Sequence, residues 1–257
     1  MKRVRVIPVL LIQNGGLVKS VQFKSHQYVG DPINAVKIFN EKEVDEIVIL
    51  DISASGHKRG PNLSQIKQIT EEAFMPLAYG GGITLLSEIK EILYNGAEKV
   101  VLNTSAIDQP ELIREAAKQF GTQSIVVSID VGKCWRGGYK VYRGGGKKKT
   151  KLNPIELSLK LETLGAGEII LTRIQQDGTF DGYDYALIKA ITEAVKIPVI
   201  ANGGAGSIDD FRRAVVESGA SAVAAGSFFV YQQPLRAVLI SYPDQEKLIK
   251  EFFSYVN

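Results

Sequence analysis

The sequence predicts an α/β protein folded as a single (βα)8 TIM barrel made of two repeated half-barrels, and three observations carry that prediction. The 257 residues match the length of one such barrel domain. Short β-rich runs alternate strictly with longer amphipathic ones, which implies a parallel sheet. The second half of the chain also restates the first, and an internal repeat of this length points to a barrel closed from two similar pieces.

Eight runs read as strands, at residues 4–12, 46–52, 77–79, 99–102, 125–130, 168–172, 199–201 and 222–225. Helical patterns fill the gaps, for example at 62–73, 85–94, 110–120, 184–194 and 209–217, several of them opening on Pro or Asp as helix starts do. Asp31-Pro32-Ile33 returns as Asn153-Pro154-Ile155, and Asp45-Glu46-Ile47-Val48 as Gly167-Glu168-Ile169-Ile170, both 122 residues on. The stretch 76–82 matches 198–204 at the same offset, and Gly96-Ala97 matches Gly219-Ala220 at 123. One domain over residues 1–257 is expected, with half-barrels of about 1–123 and 124–257. Two stretches exceed ordinary βα loops. Residues 13–30 carry the turn signal Asn14-Gly15-Gly16, and 131–152 carry Gly137-Gly138 and Gly144-Gly145-Gly146 around a short β-like run at 139–142. Both follow strands, so both belong to the face where barrels bind ligands and long loops act as lids.

A composition of 45% hydrophobic and 23% charged residues excludes a disordered chain and a disulfide scaffold. The single cysteine, Cys134, fits a reducing cytoplasm, and it has no nearby His to activate it as a nucleophile. The apolar run after Met1-Lys2-Arg3-Val4-Arg5 contains Pro8 and is too short for a signal core or a membrane span, so a cytoplasmic, soluble protein is expected. Net charge is +3, and the one basic cluster, Lys147-Lys148-Lys149, lies in a Gly-rich stretch without aromatics; it reads as a solvated loop, not a nucleic-acid site. His26 and His57 lack carboxylate or cysteine partners at ligand spacing, so no metal and no cofactor are expected. Trp135 is expected to pack its loop.

Gly81 and Gly82 after the third strand, with Asn103 and Thr104 after the fourth, would let backbone N–H groups approach an anion. Gly203 and Gly204 after the seventh strand, with Gly226 and Ser227 after the eighth, repeat the arrangement. Two tight turns that needed glycine is the plainer reading; two copies at strand ends favour a pair of phosphate cradles, suited to a ligand with a phosphate at each end.

Arg5-Val6-Ile7-Pro8, Leu50-Asp51-Ile52, Tyr79-Gly80-Gly81-Gly82-Ile83, Asn103-Thr104, Ser128-Ile129-Asp130, Gln176-Asp177-Gly178-Thr179, Gly182-Tyr183-Asp184 and Asn202-Gly203-Gly204-Ala205-Gly206 together resemble the cyclase subunit of imidazole glycerol phosphate synthase. The likeness runs from the first strand to the eighth. It implies that two aspartates, at the ends of the first and fifth strands, act as acid and base in closing an imidazole ring. The second falls on Asp130, but the first falls on Leu11, which can neither give nor take a proton. Losing one member of such a pair removes about two to four orders of magnitude in rate. Arg173 and Gln175 stand where the family usually has serine and aspartate, and Asn202 where it has serine; Lys19, Asp51, Asn103, Thr172 and Asp177 are kept.

The family likeness also implies a charged gate at the opposite end of the barrel. Arg5, Glu46, Lys99 and Glu168 each stand at or near the start of a strand. Alternation puts Arg5 on the side of Leu11, Lys99 on that of Asn103 and Glu168 on that of Thr172, facing the lumen. In the family these positions admit ammonia released by a docked glutaminase subunit; a salt-bridge cluster that simply seals the floor is the plainer reading. The segment Leu235-Arg236-Ala237-Val238-Leu239-Ile240-Ser241-Tyr242-Pro243, taken with Leu11, resembles the cyclase paralogues of acetamidino-sugar pathways. That likeness implies a barrel that no longer cyclises and passes ammonia to a third, sugar-modifying enzyme. A cyclase-lyase of histidine biosynthesis working with Asp130 alone is the alternative, and a pure scaffold is a third.

Overall fold

Eight parallel strands close on one another in the computed structural model, which describes residues 4–54, 56, 59–135 and 137–256. In chain order they are β1 (Arg5–Gln13), β2 (Ile47–Asp51), β3 (Leu77–Gly80), β4 (Lys99–Leu102), β5 (Ile125–Lys133), β6 (Glu168–Arg173), β7 (Val199–Asn202) and β8 (Ala222–Ala225). Each pairs with the next, and β8 returns to β1 with Arg5 opposite Ala222, so the barrel has no free edge. The two-residue alternation of strands then sorts the side chains. Ile7, Val9, Val48, Val101, Ile170 and Ala224 belong to an apolar cluster inside the lumen, with Leu11 and Leu50 packed against it. Val6, Leu10, Ile47, Ile49, Val100 and Ile169 belong to a second, larger cluster between the strands and the surrounding helices.

The main helices of the outer layer are Pro32–Glu41, Leu63–Thr70, Leu86–Tyr94, Glu111–Phe120, Pro154–Thr163, Tyr185–Thr192 and Ile208–Val216. Their starts follow from capping chemistry. Asp31 accepts from the backbone N–H of Asn34 at 2.9 Å with Pro32 behind it, and Asn153 does the same for Ile155 at 2.8 Å with Pro154. Asn62 and Asp184 cap the helices that follow them, so these begin one residue later than the sequence pattern indicates and also end sooner.

The internal repeat extends to individual hydrogen bonds. Thr70 Oγ1 lies 3.0 Å from the Lys67 carbonyl and 2.5 Å from that of Asn95; Thr192 Oγ1 lies 3.0 Å from Lys189 and 2.7 Å from Ser218. Asn40 accepts from Phe74 N at 3.0 Å, and Glu162 from Lys196 N at 2.6 Å. Glu88 accepts from the N–H groups of Thr84 and Leu85, and Asp210 from those of Gly206 and Ser207. In each comparison the side chains stand 122 residues apart.

Two segments differ from the sequence reading. Residues 13–30 form a β-hairpin, Gly16–Val21 against Lys24–Gly30, continuous with the end of β1. Its second strand is polar and mostly exposed, so it carries no hydrophobic alternation to reveal it. Trp135 does not pack its loop: it is 99% exposed. The strand Tyr139–Arg143 pairs antiparallel with the end of β5, and Lys147, Lys148 and Lys149 are exposed beyond it. Among the described residues no helix is long and apolar enough to cross a membrane.

Candidate functional site

The floor of the barrel is a closed ring of four charges. Arg5 donates from Nη1 to Glu46 and from Nη2 to Glu168 Oε1 at 2.6 Å. Lys99 completes the circuit from the other side, with its Nζ 2.9 Å from Glu46 Oε2 and 3.1 Å from Glu168 Oε2. Each cation bridges both anions, so no charge depends on a single partner. Burial weakens the hold of Arg5 on its proton, but Glu46 and Glu168 outweigh it and raise the guanidinium above its ordinary value. Glu46 is the most enclosed of the four, its side chain 3% exposed. The lumen is otherwise apolar, with the small residues Ala222 and Ala78 level with the ring, opposite Arg5 and Lys99, and Ala224 above it.

At the other end, the mouth holds a second polar group. Asp130, at the upper part of β5, accepts from Asn103 Nδ2 at 3.1 Å, and the same amide donates to the Ser128 carbonyl at 2.9 Å. Burial, with the nearby charge of Asp177, lifts the Asp130 carboxyl to about 7 against the opposing hydrogen bonds of Asn103 and Ser128. Asp177 itself is pushed up to about 6 by burial, opposed by Lys19, and burial lowers Lys19 to about 8 against the pull of Asp177. Lys19 reaches in from the hairpin and donates to the Val9 carbonyl at 2.5 Å. Asn202 donates to Thr172 Oγ1 at 3.0 Å on the neighbouring strands. A carboxyl titrating near neutrality suits proton transfer, but Leu11, on the lumen side of β1, offers it no second proton carrier.

The glycine turns stand at the same end. A Cβ on Gly81 would lie 2.4 Å from the Asp51 carbonyl, and one on Gly204 would lie 2.1 Å from that of Gly182. With φ of +129° and +122°, both positions take glycine and little else. Gly82 and Gly203 complete the two turns, and Asn103 and Gly226 stand at the starts of the short helices Thr104–Asp108 and Ser227–Val230. Thr104 Oγ1 accepts from Gly144 N at 3.2 Å, which ties the loop after β5 to this corner. Asp51 stands apart from the lumen: one oxygen accepts from Ser53 and Ala54 in its own turn, the other from Arg59 at 2.7 Å.

Arg173 is not among the lumen groups. Thr172 faces inward, so its successor faces out, and Arg173 lies buried between β6 and the outer layer. Its Nε donates to Asp184 at 3.0 Å, its Nη1 to the Gln175 side chain and to the Val131 carbonyl at 3.4 Å. The Tyr139 hydroxyl donates to the same Asp184 at 3.0 Å. Asp184 was legible as a helix cap; Tyr139 carried no signal beyond its β-like run. His57 lies outside the described residues, and His26 is exposed on the hairpin.

Residues 5–235 match the family model described as histidine biosynthesis protein. A Pseudomonas aeruginosa protein with the provisional name imidazole glycerol phosphate synthase subunit hisF2 is 50% identical over 96% of this chain and 99% of its own length. A Vibrio vulnificus protein, provisionally named subunit hisF3 of the same synthase, is 45% identical over 95% of this chain and 94% of its own. The imidazole glycerol phosphate synthase subunit HisF of Alkaliphilus metalliredigens is 43% identical over 89% and 91%.

Proposed function

The chain belongs to the histidine biosynthesis protein family as a HisF-like barrel subunit, and from that premise we propose that it is the ammonia-conducting partner of a glutaminase and no longer a cyclase. The observation that carries the reading is Leu11, set against the apolar lumen where the family's acid–base pair needs a carboxyl. The ring of Arg5, Glu46, Lys99 and Glu168 supports the other half of the proposal. Apolar residues of similar size fill a barrel floor at least as stably as buried ions, so a complete ring is a reason to look for function there. Charges that share partners can exchange pairings and open a path for a small neutral molecule. A HisH-like glutaminase would dock at this floor, and ammonia would leave at the mouth for a third enzyme that converts an acetamido group on a nucleotide-linked sugar to an acetamidino group. Gly81, Gly82, Asn103, Thr104, Gly203, Gly204, Gly226 and Ser227 would hold the phosphates of a phosphorylated ligand, with Lys19, Thr172 and Asp177 around it and Asp51 behind the Gly81 turn.

The alternative, a cyclase subunit of histidine biosynthesis, is favoured by one observation: Asp130 titrates near neutrality, where a general acid or base works best. Incubation of the purified chain with ammonium and the histidine-pathway substrate separates the two. The expected result is product at least about a hundredfold slower than from a true cyclase, as loss of one acid–base partner requires. Turnover at the rate of a true cyclase would refute the non-cyclising reading. Channelling is tested separately in the complete complex, by the ratio of glutamine-driven to free-ammonia-driven amidination in wild type and Lys99→Met. An unchanged ratio with only lowered stability would make the ring a seal.

A further inference from the structure

Two loops cross the mouth of the barrel, and both are fastened to the same short segment after β6. The hairpin of residues 16–30 is held at its tip, where Gln22 N donates to the Asp177 carbonyl at 2.8 Å and Gln22 Nε2 to the Gln175 carbonyl at 2.9 Å. The extension of β5 is held from its base, where Lys133 N donates to Gln175 Oε1 at 3.4 Å, and Arg173 binds both that oxygen and the Val131 carbonyl. Tyr139, on the returning strand, shares Asp184 with Arg173, whose guanidinium lies 5.6 Å from the tyrosine ring centre. The far ends of the two loops also meet: a Cβ on Gly146 would lie 2.7 Å from the Phe23 ring and 3.5 Å from Ile174. Gln175 is therefore the shared point, its main chain holding one loop and its side chain the other.

We propose that Arg173 and Gln175 couple the two mouth loops, so that they open and close as one unit. A serine at 173 and an aspartate at 175, the usual residues of the family, could not do this, because serine cannot span from β6 to Asp184 and a carboxylate cannot be held by Arg173 once Arg173 is gone. Access to Asp130 and Asp177 is then all-or-none, whichever ligand the mouth takes, so the inference stands apart from the proposed function. A shared fastening is a route for coupling and not a measurement of it, so the test measures coupling directly.

Hydrogen–deuterium exchange of the full chain provides that measurement, since loops open locally with their own free energies. Gln175→Ala keeps the main-chain carbonyl that binds Gln22 and removes only the side chain that binds the other loop. It is expected to speed exchange about tenfold in both 16–30 and 137–149, the scale set by losing a net hydrogen bond. Arg173→Ser, which touches no residue of the hairpin, is expected to do the same. Gln22→Ala should speed exchange in 139–143 of wild type but add nothing in the Gln175→Ala background. Should Arg173→Ser fail to fold, Gln175→Ala decides alone, because residue 175 is exposed. Faster exchange confined to 131–149, with 16–30 at wild-type rates, would overturn the proposal.

Discussion

The Nζ of Lys19 lies 2.0 Å from the place where a Cβ on residue 226 would stand, so this ammonium fills space that Gly226 leaves open. Gly226 has φ of −107°, which any residue can adopt, and the requirement for glycine is therefore one of room and not of backbone freedom. Gly226→Ala should push Lys19 off the Val9 carbonyl and destabilise the chain by about 1–3 kcal/mol. Urea denaturation of Gly226→Ala, Lys19→Ala and the double variant checks this. The double variant should be about 1 kcal/mol more stable than the sum of the single losses predicts, and additive losses would contradict the contact.

Asp130 gives stability a definite pH dependence. Its carboxyl moves from 3.8 to about 7 on folding, so between those values the folded chain holds a proton that the unfolded chain has lost. Stability therefore falls as pH rises from about 4 to 7 and levels off above, with Asp177 contributing in the same sense up to about 6. Asp130→Asn should match wild type near pH 4 and exceed it at pH 8 by about 4 kcal/mol in denaturant melts.

Lys19 acts in the opposite sense and in a different window. Its ammonium falls from 10.5 to about 8, so the unfolded chain holds the extra proton between those values and stability rises with pH from about 8 to 10.5. In Lys19→Met this rise should be absent; a rise of wild-type size would assign it to another group.

The ring should respond to pairs of substitutions differently from single ones. Lys99→Met leaves Glu46 and Glu168 sharing Arg5 alone and should cost about 1–3 kcal/mol. Adding Glu46→Gln removes the excess negative charge and should recover at least half of that loss in thermal unfolding. A double variant weaker than Lys99→Met would mean that Glu46 contributes through something other than charge balance.

Crystals grown in sulfate should show an anion at each glycine turn, one bounded by Gly82 and Thr104, the other by Gly204 and Ser227. Both positions empty while other surface sites fill would remove the cradles from the functional reading.

Much of this was written in the sequence through periodicity. The ring was legible because Arg5, Glu46, Lys99 and Glu168 all stand near strand starts and the two-residue alternation turns their side chains inward. The same rule held the answer for Arg173: with Thr172 inward, Arg173 had to face out, yet likeness to the family drew attention to its substituent and not to its direction. The strand Lys24–Gly30 was not legible, because its residues are polar and largely exposed and bury no stripe. Nor was the sharing of Asp184 by Arg173 and Tyr139, since contacts across 45 and 11 residues leave no local pattern.

The ring also has an unequal parentage. Arg5, Glu46 and Lys99 come from the first proposed half of the chain and Glu168 from the second, and the residues that answer Arg5 and Lys99 carry no charge: Ser124, at the offset of 119 that relates Leu11 to Asp130, and Ala222, at the offset of 123 that relates Gly96-Ala97 to Gly219-Ala220. Two copies of either half could imitate the barrel's backbone but not its floor, because the first half brings a surplus cation and the second a lone carboxylate. If the chain is severed between residues 123 and 124 and the fragments are mixed, native helix content measures reassembly of the shell, whereas the stability lost on replacing Glu168 with Gln measures whether the two fragments have met in register at their common base.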